Sequence, residues 1–250
     1  MVESGGQPFG VEPGISGHVD GQVLEQTITR LSASTTDGVG LEDALGLVVQ
    51  SSHELFKLAG AGVMTFDDLD VLRYVAASDA RARVLEEVQE HAGEGPCVDA
   101  AVYGVIVESP DVTSDERWPE LAGGMKDRGV RGVLGVPIRL SGGTVGSLNV
   151  YAESRYVWDA SDRAAIRAFE GFVERLLQGA IAAHTQGAII EHLQYALDHR
   201  VVIERAVGMI MGREQVAAPA AFERLRSAAR RQRMRTAEIA ERLLAGETLE

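Results

Sequence analysis

The stretch from Leu193 to Leu244 limits the possible folds more than any other part of the sequence. Apolar residues recur there at steps of three and four, which is the spacing of one face of an α-helix. A break at Pro219 divides the stretch, and a further apolar series begins at Ile239. The pattern therefore predicts three helices. The first has an inward face that includes one arginine: Leu193, Ala196, Leu197, Arg200, Ile203, Ala206, Val207 and Ile210.

A run of arginines gives this stretch a charge pattern unlike that of the rest of the chain. Between Arg224 and Arg235 the sequence has six arginines and no acidic residue, in a protein whose net charge is −13. Arg226, Arg230 and Arg233 fall at i, i+4 and i+7, which places them on one helical face beside the apolar one. A basic stripe beside a packed seam is typical of a surface that contacts phosphates.

The same residues carry a resemblance to a known family. The spacing Arg200-x-x-Ile203-x-x-Ala206-x-Gly208-x-x-Met211, followed by Ala221-Phe222-x-x-Leu225-Arg226-x-x-Ala229, resembles the ANTAR domain, an RNA-binding module of antitermination regulators. The resemblance places this domain at residues 188–246. One departure is Val207, where the family often has a lysine. The resemblance implies that RNA binding relies on the arginines. We expect the main contacts from four of them: Arg226, Arg230, Arg231 and Arg233. Three further residues are second choices: Arg200, Arg205 and Thr236.

Charge divides unevenly between the two parts of the chain. Residues 188–250 have a net charge of about +1, whereas residues 1–187 carry about −14. An acidic body repels RNA phosphates, so we expect nucleic-acid binding only at the C-terminal arginines. No run approaches the ~20 apolar residues of a membrane span, and the N-terminus lacks the features of a signal peptide, so we expect a cytoplasmic protein.

The preceding part of the chain alternates helical and strand patterns. Helical spacing runs from Leu41 to Leu58 and from Asp79 to His91, with a short helix from Trp118 to Gly129. A loop is expected at Gly93–Cys97. Strands are expected at Ala61–Phe66, Val71–Ala77, Tyr103–Val107, Val133–Leu140 and Val145–Tyr151. This order predicts an α+β domain with a largely antiparallel sheet flanked by helices.

Four segments of that region resemble a GAF domain of the kind found in actinobacterial regulators. They are Gly93-Glu-Gly-Pro-Cys97, Ser114-Asp-Glu-Arg-Trp-Pro119, Gly132-Val-Leu-Gly-Val-Pro-Ile138 and Gly146-Ser-Leu-Asn-Val-Tyr151. The resemblance covers residues 38–183 and implies a sensor for a small molecule or light. The lysine-containing pattern of cyclic-nucleotide-binding GAF domains is missing, so the ligand and any cofactor remain unspecified.

Two further segments complete the expected organisation. Residues 1–17 are rich in Gly, Pro, Ser and Gln and are expected to be disordered. Residues 162–192 have the a/d spacing of a coiled-coil seam, and we expect one long connector helix that joins the domains and forms a parallel homodimer. An unbroken helix from Asp162 to Met211 would span roughly 75 Å, although Gly179 and Gly187 could bend it.

The sequence contains no recognisable catalytic or metal-binding motif. It lacks a P-loop, a His-Glu-x-x-His and a Gly-x-Ser-x-Gly motif, and the spacing of its six histidines does not indicate a metal site. Cys97 is the single cysteine, and we expect it to be buried and unreactive because no basic residue is near it in sequence. We therefore expect no enzyme.

These patterns favour a signal-responsive antitermination regulator that binds paired hairpins in nascent RNA. A DNA-binding regulator is an alternative, because three short helices with an arginine-rich second helix resemble a helix-turn-helix. A second alternative is a ligand-controlled module whose C-terminal helices bind an acidic protein. The arginines could also pair with the acidic body of this chain and be masked there.

Overall fold

The computed structural model describes residues 18–35, 39–67, 69–183 and 187–249. The disorder expected for residues 1–17 lies outside these ranges. The helices are α1 (Gly21–Ser34), α2 (Leu41–Phe56), α3 (Ala80–Ala92), α4 (Pro96–Tyr103), α5 (Pro119–Met125), α6 (Ala160–Ala182), α7 (Ala188–Glu214), α8 (Ala218–Gln232) and α9 (Thr236–Leu244). The strands are β1 (Gly60–Phe66), β2 (Leu72–Ala77), β3 (Val107–Ser109), β4 (Gly132–Leu140) and β5 (Gly143–Ala152).

The five strands form one antiparallel sheet in the order β2-β1-β5-β4-β3. The expected hairpins β1–β2 and β4–β5 are confirmed. Ser141 and Gly142 connect β4 to β5 with φ angles of 50° and 87°. Two successive positive φ angles are typical of the tight turn whose twist suits an antiparallel hairpin. The predicted α+β domain with an antiparallel sheet is therefore present.

The segment after α3 differs from its prediction. The Gly93–Cys97 loop leads into helix α4, and Tyr103 belongs to that helix instead of to the strand expected at Tyr103–Val107. Pro96 occupies the first turn, where its fixed φ suits a helix and its missing N–H costs nothing. Gly104 ends the helix with a φ of 65°, so only β3 is left as a short strand.

The two faces of the sheet are covered by different parts of the chain. Helices α2 and α6 cover one face, with α1 packed on both of them, and there the strands contribute apolar residues such as Val136, Leu148 and Val150. Helices α3 and α4 lie on the other face, to which the alternate residues Ser147, Asn149 and Tyr151 of β5 belong. Because successive strand residues alternate between faces, β5 presents an apolar side and a largely polar side.

The connector is two helices and not the single long coiled-coil helix expected at residues 162–192. Helix α6 ends at Ala182 and α7 begins at Ala188, preceded by Gly187 with a φ of 148°. The seam residues Ile166, Phe169 and Val173 are fully buried in the core formed with α2 and the sheet. They cover their own domain, because an a/d apolar stripe packs equally well against a sheet as against a second helix.

The three predicted C-terminal helices are present as α7, α8 and α9. Helix α7 packs on β1 and β5, and α8 packs on α4, so these helices cover the polar side of the sheet together with α3 and α4. Phe66 in β1 and Phe222 in α8 meet edge to face, with ring centroids 6.2 Å apart. The C-terminal helices and the sheet therefore share one apolar core. Within the described ranges, no helix is both long and apolar enough to cross a bilayer.

Candidate nucleic-acid interface

Helix α8 and its C-cap residue carry four of the six predicted RNA-contacting arginines. Its inward face buries Phe222, Leu225 and Ala229, which fixes the rotation of the helix and the direction of every arginine on it. The helix ends at Arg233, whose φ of 54° is left-handed and whose N–H donates to the carbonyls of Ala229 and Arg230. Basic residues in the last turn suit the partial negative charge at a helix C-terminus.

Three of the predicted residues are exposed in that last turn and just beyond it. Arg230 forms an ion pair with Glu223 and donates to the Ser227 hydroxyl at 2.9 Å. Arg231 donates to the carbonyl of Leu249 at 2.9 Å, while Arg233 is exposed at the C-cap. Exposed ion pairs and single carbonyl contacts are weak in water, so these guanidinium groups can exchange their partners for phosphates.

Arg226 differs from the exposed arginines of α8 because it is buried, with an exposed fraction of 9%. Its Nη1 lies 3.4 Å from a carboxylate oxygen of Glu223, and its guanidinium carbon lies 5.8 Å from the Phe222 ring centroid. Its Nε has no hydrogen-bond partner among the described residues. Burial lowers the pKa of the Arg226 guanidinium because the positive charge is poorly solvated here. The nearby positive charge of Arg230 also lowers this pKa.

Arg200 lies on the inward face of α7, as its place in the apolar series predicted, and is 4% exposed. Its Nη2 donates to the carbonyls of Ala101 and Val102 in α4, at 3.3 and 3.4 Å. Its Nε donates to Glu204 at 3.1 Å. The guanidinium also lies over the ring of Phe66 in β1. Arg200 therefore joins the C-terminal helices to the sheet domain in this conformation.

The remaining two predicted residues differ in burial. Thr236, at the start of α9, is buried and donates its hydroxyl to the carbonyl of Leu69 at 3.4 Å. Arg205 is exposed on α7. Of the seven predicted residues, the structure thus buries Arg200, Arg226 and Thr236 against the sheet domain and exposes the other four: Arg205, Arg230, Arg231 and Arg233.

Asp70, which the sequence analysis did not single out, lies between these buried residues at 1% exposure. Burial raises the pKa of its carboxyl to about 6, while the charge of Arg200 and a hydrogen bond with Thr236 lower it. Asp70 has a φ of 56° in the turn between β1 and β2, a conformation that Asp tolerates better than most residues. In the sequence, an aspartate in an acidic turn is only a weak indication of a functional residue. No local pattern connects Asp70 with α7.

A second buried polar cluster lies between α3 and the polar side of the sheet. Glu86 accepts hydrogen bonds from Asn149 Nδ2 at 2.9 Å and from the Tyr151 hydroxyl. Burial raises the pKa of Glu86 to about 7, although both hydrogen bonds act in the opposite direction. Nearby, Gln89 Nε2 donates to the sulfur of Cys97 at 2.8 Å. Burial raises the pKa of the Cys97 thiol well above its usual range, and the expected burial of this cysteine is confirmed.

Family models match both the sheet domain and the C-terminal helices. The GAF domain model matches residues 40–177, and the ANTAR domain model matches residues 191–244. The chain is a GAF-domain protein with a C-terminal ANTAR domain. GAF domains are sensors, and ANTAR domains are RNA-binding modules of antitermination regulators. In this protein α7 of the ANTAR domain packs on β1 and β5 of the GAF sheet and α8 packs on α4, while α9 packs on α7 and α8.

Solved structures share the GAF fold at low sequence identity. The GAF domain of a Coxiella burnetii phosphoenolpyruvate-protein phosphotransferase is 18% identical, with a TM-score of 0.53, over 66% of this chain and 98% of that one. Its Acinetobacter counterpart is 16% identical, with a TM-score of 0.52, over 65% of this chain and 98% of that one. These likenesses show the fold alone. Comparison with curated proteins finds no match.

Proposed function

We propose that this protein is a signal-responsive transcription antitermination regulator whose ANTAR domain binds paired hairpins in nascent RNA. The observation that carries the proposal is the arginine cluster of α8 within a matched ANTAR domain. Arg230, Arg231 and Arg233 project from one end of the helix into solvent. Guanidinium groups suit phosphate and base-edge contacts, and they are the main charged groups available in a domain with few aromatic residues.

The docked arrangement supports a further element of this proposal, namely that the conformation described here is the one that does not bind RNA. Arg200 and Arg226 are buried against the GAF domain, and Thr236 is bonded to its Leu69 carbonyl. A residue that is buried between domains cannot contact RNA. We therefore propose that an input to the GAF domain releases the ANTAR domain, which exposes these three residues beside the arginines that are already accessible.

The packing offers a physical route for that input. Helix α4 contacts β4 and β5 of the sheet on one side and α8 of the ANTAR domain on another. Carbonyls at its end also receive Arg200. A ligand that moves α4 by a small distance would change both contacts, because closely packed interfaces accommodate little displacement.

A homodimer is part of the same proposal. Two ANTAR domains in one dimer would bind two hairpins, and the second contact would gain from effective concentration. The exposed side of α7 offers a surface for such pairing, since Val201 and Met211 are 55% and 37% exposed. Light scattering of the purified protein with and without RNA tests this element, and a monomer in both states would contradict it.

The test of the function is binding of an RNA that carries two adjacent short hairpins to the full chain with Asp70→Lys, which places a positive charge beside the buried Arg200 and Arg226 and is expected to release the ANTAR domain. The variants below are made in this background. A scrambled RNA and duplex DNA of equal length serve as competitors. We expect replacement of Arg230 and Arg231 by Gln to weaken binding to the paired hairpins about tenfold or more and to reduce its salt dependence. The matched control replaces Arg81 and Arg128, which are exposed on the GAF domain, by Gln.

Three results would contradict the proposal. Equal affinity for duplex DNA would favour a DNA-binding regulator, and loss of binding in the Arg81 and Arg128 control would indicate non-specific attraction. Absence of RNA binding even after release of the ANTAR domain would favour a protein-interaction module.

A further inference from the structure

A cavity of about 440 Å³ lies between the β1–β2 turn of the GAF domain and helices α8 and α9 of the ANTAR domain. Half of its ten described lining residues are arginines, and none of the ten is acidic. One arginine comes from strand β2 and the others from the ANTAR domain: Arg73, Arg226, Arg230, Arg233 and Arg235. We call this space the arginine cavity. It is formed by both domains, so it exists only in the docked arrangement.

Arg226 gives the arginine cavity an unsatisfied donor. The residue is more than nine-tenths buried, and its Nε has no partner among the described residues. Its one ion pair, with Glu223, is long at 3.4 Å. A buried guanidinium with an unfilled donor is costly, and an anion in the cavity would supply both the missing acceptor and a compensating charge.

Two of the other arginines pair with carboxylates. Arg73 pairs with Asp67 at 2.8 Å and also with Glu90, and Arg230 pairs with Glu223. The Arg230–Glu223 pair is about half exposed on both sides and contributes little in water, whereas Asp67 and Glu90 are largely buried, so Arg73 keeps these partners. A phosphate held by several guanidinium groups accepts bidentate, charge-assisted hydrogen bonds.

The rest of the lining is apolar and restricts the class of ligand. Leu69, Val71, Ala229 and Met234 lie between the arginines. The volume is within the range of about 300–1,000 Å³ that is typical of small-molecule sites. A bare inorganic ion would leave the apolar lining uncovered, so the combination suits an organic molecule with a charged phosphate end.

We propose that the arginine cavity binds a small phosphate-bearing organic molecule that contacts Arg73 of the GAF domain and Arg226, Arg230 and Arg233 of the ANTAR domain. A ligand held by both domains stabilises the docked arrangement by a free energy that grows with the logarithm of its concentration over its dissociation constant. Insofar as the proposed function holds, such a ligand competes with RNA for the same arginines. The site itself does not depend on that function.

The experiment titrates the full chain with adenosine triphosphate, inorganic pyrophosphate and citrate by calorimetry at physiological salt. We expect saturable binding with one site per chain, tightest for the nucleotide and weakest for citrate. Arg73→Gln should weaken nucleotide binding about tenfold or more, because it removes a charge-assisted contact. Arg233→Gln, in the ANTAR domain, should do the same, whereas the exposed Arg81→Gln serves as the control and should leave binding unchanged.

Absence of saturable binding by both phosphate probes would overturn the proposal, as would wild-type affinity in both the Arg73 and Arg233 variants. Equal affinity for citrate would overturn the assignment to phosphate. Hairpin RNA binding is measured without nucleotide on the Asp70→Lys chain, in which the ANTAR domain is expected to be released, so the two proposals can fail separately. Nucleotide binding without RNA binding leaves the site in place and contradicts the function, and RNA binding without nucleotide binding does the reverse.

Discussion

The guanidinium carbon of Arg200 lies 4.9 Å from the ring centroid of Phe66, so a residue of the ANTAR domain packs on a strand residue of the GAF domain. The same guanidinium donates to two carbonyls of α4. We expect Arg200→Ala to lower the free energy of unfolding by about 2–4 kcal/mol, because it removes these contacts and leaves the buried Asp70 carboxyl without its main compensating charge.

Urea unfolding followed by circular dichroism measures this change. Arg205→Ala is the control, since Arg205 is exposed on the same helix and its loss should alter stability by less than about 0.5 kcal/mol. Equal effects of the two substitutions would show that α7 does not hold the GAF domain through Arg200.

Stability should fall as pH rises from about 4.5 to 7 because of Glu86, whose pKa is raised from 4.5 to about 7 by burial. A carboxyl with a higher pKa in the folded state binds its proton more tightly when folded. Its stabilising contribution is therefore complete below the unfolded pKa and is lost as pH rises through the folded one. We expect Glu86→Gln to remove up to about 3 kcal/mol of this pH dependence.

The measurement is the free energy of unfolding at several pH values between 4.5 and 8. The difference between wild type and variant isolates Glu86 from other carboxyls whose pKa is raised, among them Asp70 and Asp99, which act in the same direction up to about pH 6. Glu87→Gln, at a half-exposed neighbouring position, should run parallel to wild type. Parallel curves for wild type and Glu86→Gln would contradict the burial of an uncompensated carboxyl.

Cys97 should be unreactive in the folded protein. Its thiol is fully buried and accepts a hydrogen bond from Gln89, and burial raises its pKa, so the reactive thiolate is scarce. We expect alkylation by iodoacetamide at pH 8 to be at least about tenfold slower in the native protein than in urea. Mass spectrometry over time measures both rates, and rapid native labelling would be inconsistent with this packing.

The sequence predicted most of the elements because their signals are local. The inward series of α7 placed Arg200 among apolar residues, and the structure buries it there. The helix at Pro96–Tyr103 was missed, since Gly-Pro reads equally as a loop or as a helix start. The a/d seam of α6 correctly indicated an apolar stripe, but periodicity does not specify whether a helix or a sheet covers it.

The candidate site was only partly predictable. Helical spacing brought Arg226 and Arg230 to one side of α8, and the structure places both beside one cavity. That Arg226 is buried and Arg230 exposed depends on the docking of α8 on α4, which involves residues distant in sequence. Asp70 and Arg73 had no local pattern that connects them with the ANTAR arginines, so the contribution of the GAF domain required the structure.

The measurement that tests the account most directly is binding of paired-hairpin RNA to Asp70→Lys in the full chain. A lysine at this buried position would face Arg200 and Arg226, and charge repulsion should release the ANTAR domain. Asp127→Lys is the matched control, because Asp127 is exposed, has a similar φ of 64° and changes the net charge equally. The account predicts that Asp70→Lys binds this RNA about tenfold or more tightly than Asp127→Lys. Equal affinities of the two variants would contradict the claim that docking on the GAF domain masks the RNA-binding surface.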